Sequence, residues 1–219
     1  MSKLDPKTPD HPRPLPKSVY DPAEDSFLLM DALVEDQEAL IAQKPKVVFE
    51  IGVGSGVVSS FARTLIDGLL GNGSEYVHSF GTDINPEAIE TAKRTATINK
   101  QSKPELFQCD LVSAVSPRFQ GFIDVLLFNP PYVPTDDAPV TCSEHCWAGG
   151  PSGRGALDRL WPIVADLLSP TGSFYLVALK SNNIPDLIET AGQYNLDGKV
   201  VINRRCGIEH LFILKFWKK

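Results

Sequence analysis

The 219-residue chain predicts an α/β domain built on a doubly wound, mostly parallel sheet that ends in an antiparallel hairpin. Three observations carry that expectation. Short apolar runs alternate with segments of helical period, the pattern of strand–helix crossovers. The first run ends in a glycine-rich turn, Glu50-Ile-Gly-Val-Gly-Ser-Gly56. The last two runs are separated by only a few residues around Gly207, too few for a crossover helix, so they must pair antiparallel.

Residues 1–18 hold Pro6, Pro9, Pro12, Pro14 and Pro16 among charged residues, with almost no bulky apolar side chains. They are expected to form a disordered or extended tail, leaving 19–219 as the folded domain. In Asp21-Pro22-Ala23-Glu24, Asp suits a helix N-cap, Pro the first position and Glu the third. Phe27, Met30, Val34 and Ile41 then recur at helical spacing, predicting a helix to about Gln43. A strand over 46–51 enters the glycine turn, and Val58, Phe61, Leu65 and Leu69 share one face of the next helix. A second strand is expected over 76–84. Asn85-Pro86-Glu87 caps a helix with Ile89, Ala92 and Ala96 inward, and strands follow over 105–109 and 122–128. Leu157, Leu160, Val164 and Leu167 mark a helix in which Pro162 must lie in the first turns or cause a bend. A strand over 173–179, a helix over 184–194 and hairpin strands over 199–204 and 210–217 complete the series.

Lys and Arg number 21 against 27 Asp and Glu, a net charge of -6. That balance argues against stable gripping of a nucleic-acid backbone, which calls for a basic face. Cys109, Cys142, Cys146 and Cys206 are too few and scattered for a disulfide-stapled secreted domain. No stretch has the length of a membrane span and the N-terminus has no apolar signal core. A cytoplasmic protein, with the nucleus as a second location, is the expectation.

In doubly wound sheets, ligands bind beyond the carboxyl ends of the strands, near the point where strand order reverses. Gly52, Gly54 and Gly56 sit at the first such end, where missing Cβ atoms let backbone approach a ligand. Asp83 ends the second strand, where a carboxylate can accept both ribose hydroxyls of an adenosine. Asp110 ends the third and can accept from the exocyclic amine of adenine, with Leu111 beside the ring. A nicotinamide dinucleotide site would need a third glycine at position 57, which is Val57, and no Gly-Lys-Ser/Thr follows for a phosphate loop.

The fourth strand delivers Asn129-Pro130-Pro131-Tyr132. Proline pairs commonly just stop strands. Behind a cofactor half, however, this loop can hold a planar, uncharged nitrogen. The Asn129 side-chain oxygen and the Pro130 carbonyl can accept its two N–H bonds, while Tyr132 packs on the planar group. Such a site suits S-adenosylmethionine, whose methyl is already activated, acting on an amide or amine nitrogen. Asp25 and Ser26 lie near the start of the first helix and could reach the methionine end of that cofactor, or be incidental to the cap. Cys142-Ser-Glu-His145-Cys146 lacks the second ligand pair of a structural zinc site, so no metal is expected. Trp147 and Arg154 flank a glycine-rich stretch and are candidates to grip a substrate peptide.

The chain resembles the HemK/PrmC family of release-factor glutamine N5-methyltransferases, in its short eukaryotic and archaeal branch. The resemblance runs from about Val19 to the C-terminus. It rests on Tyr20-Asp-Pro-Ala-Glu-Asp-Ser-Phe27, the 50–56 turn, Thr82-Asp-Ile-Asn-Pro86, Cys109-Asp-Leu111, Asn129-Pro-Pro-Tyr132 and Trp147-Ala-Gly-Gly150 in order. It implies a class I Rossmann-like seven-stranded methyltransferase fold. It also implies cofactor contacts at Tyr20, Ser26, Glu50, Gly52, Asp83, Asp110 and Leu111, with Asn129 also near the cofactor and, with Pro131, on the substrate. Relatives of the short branch act with a small zinc-binding activator and methylate the glutamine of a Gly-Gly-Gln motif in class I release factors. Two alternatives share the chemistry: a histone lysine or adenine N6 as acceptor. A non-catalytic cofactor-binding scaffold fits poorly with intact Asn129 and Tyr132.

Overall fold

The computed structural model describes residues 3–71, 77–135 and 148–219. Among them, seven strands form one sheet in the order β3-β2-β1-β4-β5-β7-β6. β1 (Val47–Ile51), β2 (His78–Asp83), β3 (Glu105–Gln108), β4 (Ile123–Phe128) and β5 (Leu168–Leu179) are mutually parallel. β7 (Glu209–Lys218) runs antiparallel between β5 and β6 (Leu196–Cys206), as the short gap at Gly207 requires. The expected fold class is the observed one.

Helices α1 (Glu24–Glu35), α2 (Gln37–Gln43), α3 (Val57–Leu70), α4 (Pro86–Ile98), α5 (Gly155–Leu167) and α6 (Ile184–Gln193) cover the sheet. Alternation along the strands divides the core. In β4, Leu126 and Phe128 pack with Leu160, Trp161 and Leu187 of α5 and α6. Val125 and Leu127 face the other way, with Leu29, Leu33, Phe61 and Leu65 of α1 and α3. A strand buried on both faces reads as a continuous apolar run, which is why β4 is so legible.

The chain moves outward from β1 through β2 to β3, then returns to lay β4 on the other side of β1. That reversal places the topological switch point between β1 and β4. Ile51 lies opposite Phe128, so the glycine turn and the Asn129 loop leave the sheet side by side.

Three local expectations are corrected. The first helix does not begin with an Asp21 cap, because the Asp21 carboxylate accepts from Arg13 at 2.8 Å. Ala23, in extended backbone, precedes α1 without a side-chain cap. The single helix to Gln43 is broken at Asp36, whose carboxylate accepts from the Tyr175 hydroxyl at 2.7 Å and pairs with Lys215. Those partners on β5 and β7 hold Asp36 out of helical register.

The proline-rich segment, expected as a disordered or extended tail, lies along the fold as a strap. Leu4 N donates to Gln37 Oε1 at 2.9 Å, and Asp10 and Asn99 exchange two hydrogen bonds at 3.1 and 2.7 Å. Pro9 and Pro12 are buried. Fixed proline φ angles lower the entropy lost on docking, and side-chain amides meet backbone groups that no strand partner would. The Asn85 cap of α4 forms as expected, accepting from Glu87 N at 2.9 Å, and Pro162 lies inside α5 on its exposed face.

Candidate functional site

Asn129 leaves β4 over a floor of fully buried Leu126, Leu127 and Phe128, and Pro130 behind it is buried too. Its Nδ2 donates to Asp25 Oδ2 at 3.0 Å. A carboxylate can only accept, so the amide is fixed with nitrogen toward Asp25 and oxygen away. Asn129 Oδ1 is consequently buried and without a partner. The Tyr132 hydroxyl donates to the same Asp25 oxygen at 2.9 Å. Tyr20 Oη lies 3.1 Å from both carboxylate oxygens, and Ser26 donates from its backbone N at 2.6 Å and from Oγ at 3.3 Å. Burial first, and Asp25 second, hold the Tyr132 phenol well above its ordinary range, so it remains a hydroxyl.

The glycine turn is tied to β2 by Gly52 N and Val53 N, which donate to the Thr82 carbonyl at 2.8 and 3.0 Å. Gly52 and Gly54 have φ of +70° and +49°, and a Cβ on Gly52 would meet no atom within 4 Å. Gly56 differs. A Cβ there would sit 2.7 Å from Ala92 Cα, so its bareness serves the packing of α4 and not ligand approach. Glu50 is buried, its Oε2 accepting from Ser59 N at 3.1 Å. Burial pushes its carboxyl up to about 8, against the lowering effect of Ser59 and with Asp83 adding to the rise. Asp83 accepts from Gly54 N at 3.0 Å and Asn85 N at 2.8 Å, and burial raises its carboxyl as well. Asp110, past the end of β3, is half exposed and receives a two-pronged contact from Arg159 at 2.6 and 3.1 Å.

A cavity of about 530 Å³ opens beside the acceptor cluster. Tyr20, Asp25 and Tyr132 form its inner wall; Glu24, Arg204 and Glu209 form its charged rim. The β6–β7 turn therefore reaches the same lip of the sheet as Asn129.

This geometry joins a buried acceptor pocket to an open glycine turn. The chain is 42% identical over 204 residues to human Methyltransferase HEMK2, spanning 91% of this chain and 90% of that protein. It is 34% identical over 215 residues to the eRF1 methyltransferase catalytic subunit mtq2 of Schizosaccharomyces pombe, spanning 92% and 90%. The chain belongs to the HemK/PrmC family of glutamine N5-methyltransferases. A scan against models of protein families finds no match. Among solved structures, the E. cuniculi Mtq2–Trm112 complex, described as responsible for methylation of the eRF1 translation termination factor, superposes with a TM-score of 0.68 at 26% identity, covering 92% of this chain and 99% of that one.

As a HemK/PrmC methyltransferase the chain uses S-adenosylmethionine, and its residues fit that group. The open space at Gly52 and Gly54 admits a ligand against the backbone. Glu50 and Asp83 would supply carboxylates for an ammonium and for ribose hydroxyls. Burial penalises both anions, a penalty that a cationic ligand would relieve.

Both Asp25 oxygens accept from the Tyr20, Ser26, Asn129 and Tyr132 groups, so this carboxylate organises the acceptor loop. Arg154 does not reach out for a peptide. Its guanidinium is buried against Asp158 at 3.3 Å, Asp186 and Thr190, tying α5 to α6. Trp147, Cys142, His145 and Cys146 lie outside the described residues.

One residue escaped sequence reasoning. Asn182, buried after β5, accepts from Leu179 N at 2.7 Å and donates to the Tyr132 carbonyl at 3.0 Å. It further contacts the Ser152 and Gly153 carbonyls at 3.3 and 3.4 Å, joining the acceptor loop to the segment before α5. The only signal was an Asn pair directly after a strand, which many turns share.

Proposed function

We propose that this enzyme methylates the glutamine side-chain amide of the Gly-Gly-Gln motif in a class I release factor, as the catalytic subunit of a heterodimer. The observation that carries the reading is the buried Asn129 oxygen with no partner, its amide oriented by Asp25. An unmet buried acceptor is costly, and a substrate N–H removes that cost on arrival.

S-adenosylmethionine supplies a methyl already activated by a cationic sulfur. The protein's task is then to present a poor nucleophile. An amide nitrogen shares its lone pair with its carbonyl. Asn129 Oδ1 and the Pro130 carbonyl accept its N–H bonds, orient it and favour the more pyramidal nitrogen that develops as it attacks. Asp25 is saturated by donors and Tyr132 keeps its proton, so neither is a general base. The N-alkylated amide cation is itself strongly acidic and loses its proton to solvent. Tyr132 and Pro131 bound the slot for the planar group.

The activator is a small zinc-binding subunit, and the β3 edge is where it docks. Among the described residues β3 pairs only with β2, while Ile84, following β2, and Phe122, linked to Phe107 of β3 through the Phe119 ring, are 64% and 51% exposed. The other edge strand, β6, is interrupted by a register shift between Val200 and Ile202 and carries Lys199, Arg204 and Arg205, features that discourage pairing.

The test is incubation of the purified heterodimer and labelled cofactor with release factor, a histone peptide and DNA, read by mass spectrometry. Label on the release-factor glutamine, lost by orders of magnitude in Asn129→Ala with S-adenosylhomocysteine still bound, is the expected result. Label on adenine or lysine but not glutamine overturns the substrate assignment.

A further inference from the structure

Asp110 sits past the last residue of the sheet's edge strand, with 48% of its side chain exposed. An isolated carboxylate in that position samples several rotamers, and each ligand encounter must select one. Here the carboxylate is not isolated. Arg159 Nη1 reaches Oδ2 at 2.6 Å and Nη2 reaches Oδ1 at 3.1 Å, a fork-to-fork contact that fixes the carboxylate plane. Arg159 itself comes from the second turn of α5, whose start is anchored to α6 through Arg154. The Arg159 side chain is exposed, but the helix that carries it is packed, so the fork has a fixed base.

A carboxylate has about four acceptor sites on its two oxygens, and the fork occupies two. Capacity remains for one more N–H. We propose that Arg159 is a positioning residue for the adenine end of the cofactor site, holding Asp110 in the orientation that accepts from the exocyclic amine. The inference rests on the reading of Asp110 as the adenine contact. It adds that adenine recognition depends on a residue of α5, more than forty positions downstream and outside every strand-end motif.

The experiment compares binding of S-adenosylhomocysteine and S-inosylhomocysteine by calorimetry. The second ligand carries a carbonyl where the first carries the amine, so it removes the donor and presents Asp110 with an acceptor. Wild type prefers the adenosyl ligand. Arg159→Ala reduces that preference by about two- to fivefold, the range of an exposed ion pair, almost wholly by weakening the adenosyl ligand. Arg159→Lys keeps the charge, loses the fork and restores only part of the preference. In Asp110→Asn, adding Arg159→Ala changes the ratio no further. Because the readout is a ratio within one preparation, partial unfolding of a variant does not imitate it. Equal weakening of both ligands, an unchanged ratio, or an Arg159→Ala effect that persists in Asp110→Asn overturns the proposal. A wild type that does not distinguish the two ligands sinks the Asp110 reading, and this inference with it.

Discussion

At the scale of single residues, the acceptor site depends on a carboxylate that does no proton transfer. Asp25 gathers the Asn129 amide and the hydroxyls of Tyr20 and Tyr132, and thereby fixes the Asn129 oxygen on the side away from the carboxylate. Asp25→Asn would offer donors where only acceptors now stand, so the Asn129 amide loses its reference. Single-turnover methylation should fall about 10²-fold, the size of losing one aligned hydrogen bond in a charge-developing site, with S-adenosylhomocysteine affinity little changed. Glu50 makes a pH prediction. Its carboxyl is raised to about 8 against an ordinary value of 4.5. Below both values it is neutral in folded and unfolded chains alike. Between them the unfolded chain releases a proton that the folded chain keeps, so this stabilising preference is lost as pH rises through about 8. The melting temperature of wild type relative to Glu50→Gln should accordingly drop from pH 5 to pH 9. A cationic ligand reverses the preference, so binding at pH 7 should release a proton, seen as a binding enthalpy that varies with buffer ionisation heat. Asn129, Glu50, Asp83 and the glycine turn were legible because each lies at or just past the carboxyl end of a strand. Asp25 was recognised as a site residue, but its hold on Asn129 was not foreseen, since that partner lies 104 positions away and no local pattern encodes the contact.

At the scale of elements, strand identity was readable and termini were not. The apolar run of β4 is buried on both faces and could be little else. α1 was placed correctly in kind, yet its start and its break at Asp36 were decided by Arg13, Tyr175 and Lys215, residues of other elements. The same lesson holds for Arg154. A glycine-rich stretch ending in Arg invites a mobile gripping loop, but the guanidinium belongs to the α5–α6 interface. Arg154→Ala should therefore destabilise the fold by about 1–3 kcal/mol, the cost of stranding charged partners in a half-buried contact. For a chain of this size that lowers the melting temperature by roughly 2–4 °C per kcal/mol. The apparent affinity for release factor should stay near wild type. A large rise in KM at unchanged melting temperature would return Arg154 to the substrate.

At the scale of the whole molecule, β3 is a sheet edge that pairs with β2 alone among the described residues. On the reading proposed above, the activator covers that edge. Backbone groups along β3 remain available for pairing; Ile84 follows neighbouring β2, and exposed Phe122 connects to Phe107 of β3 through the Phe119 ring, with centroids 6.2 Å apart at each step. An edge of that kind is a hazard in isolation, since it templates association with any extended segment. The chain expressed alone should be poorly soluble, and coexpression with the activator should restore a stable one-to-one complex. Phe122→Lys is the discriminating variant. It places a charge on the exposed apolar surface without touching Glu50, Asp83 or Asn129, so it should improve solubility of the lone chain and weaken activator binding together. Retention of full heterodimer affinity in Phe122→Lys, measured by calorimetry on the purified partners, would move the activator to a different face and leave the open β3 edge without its assigned occupant.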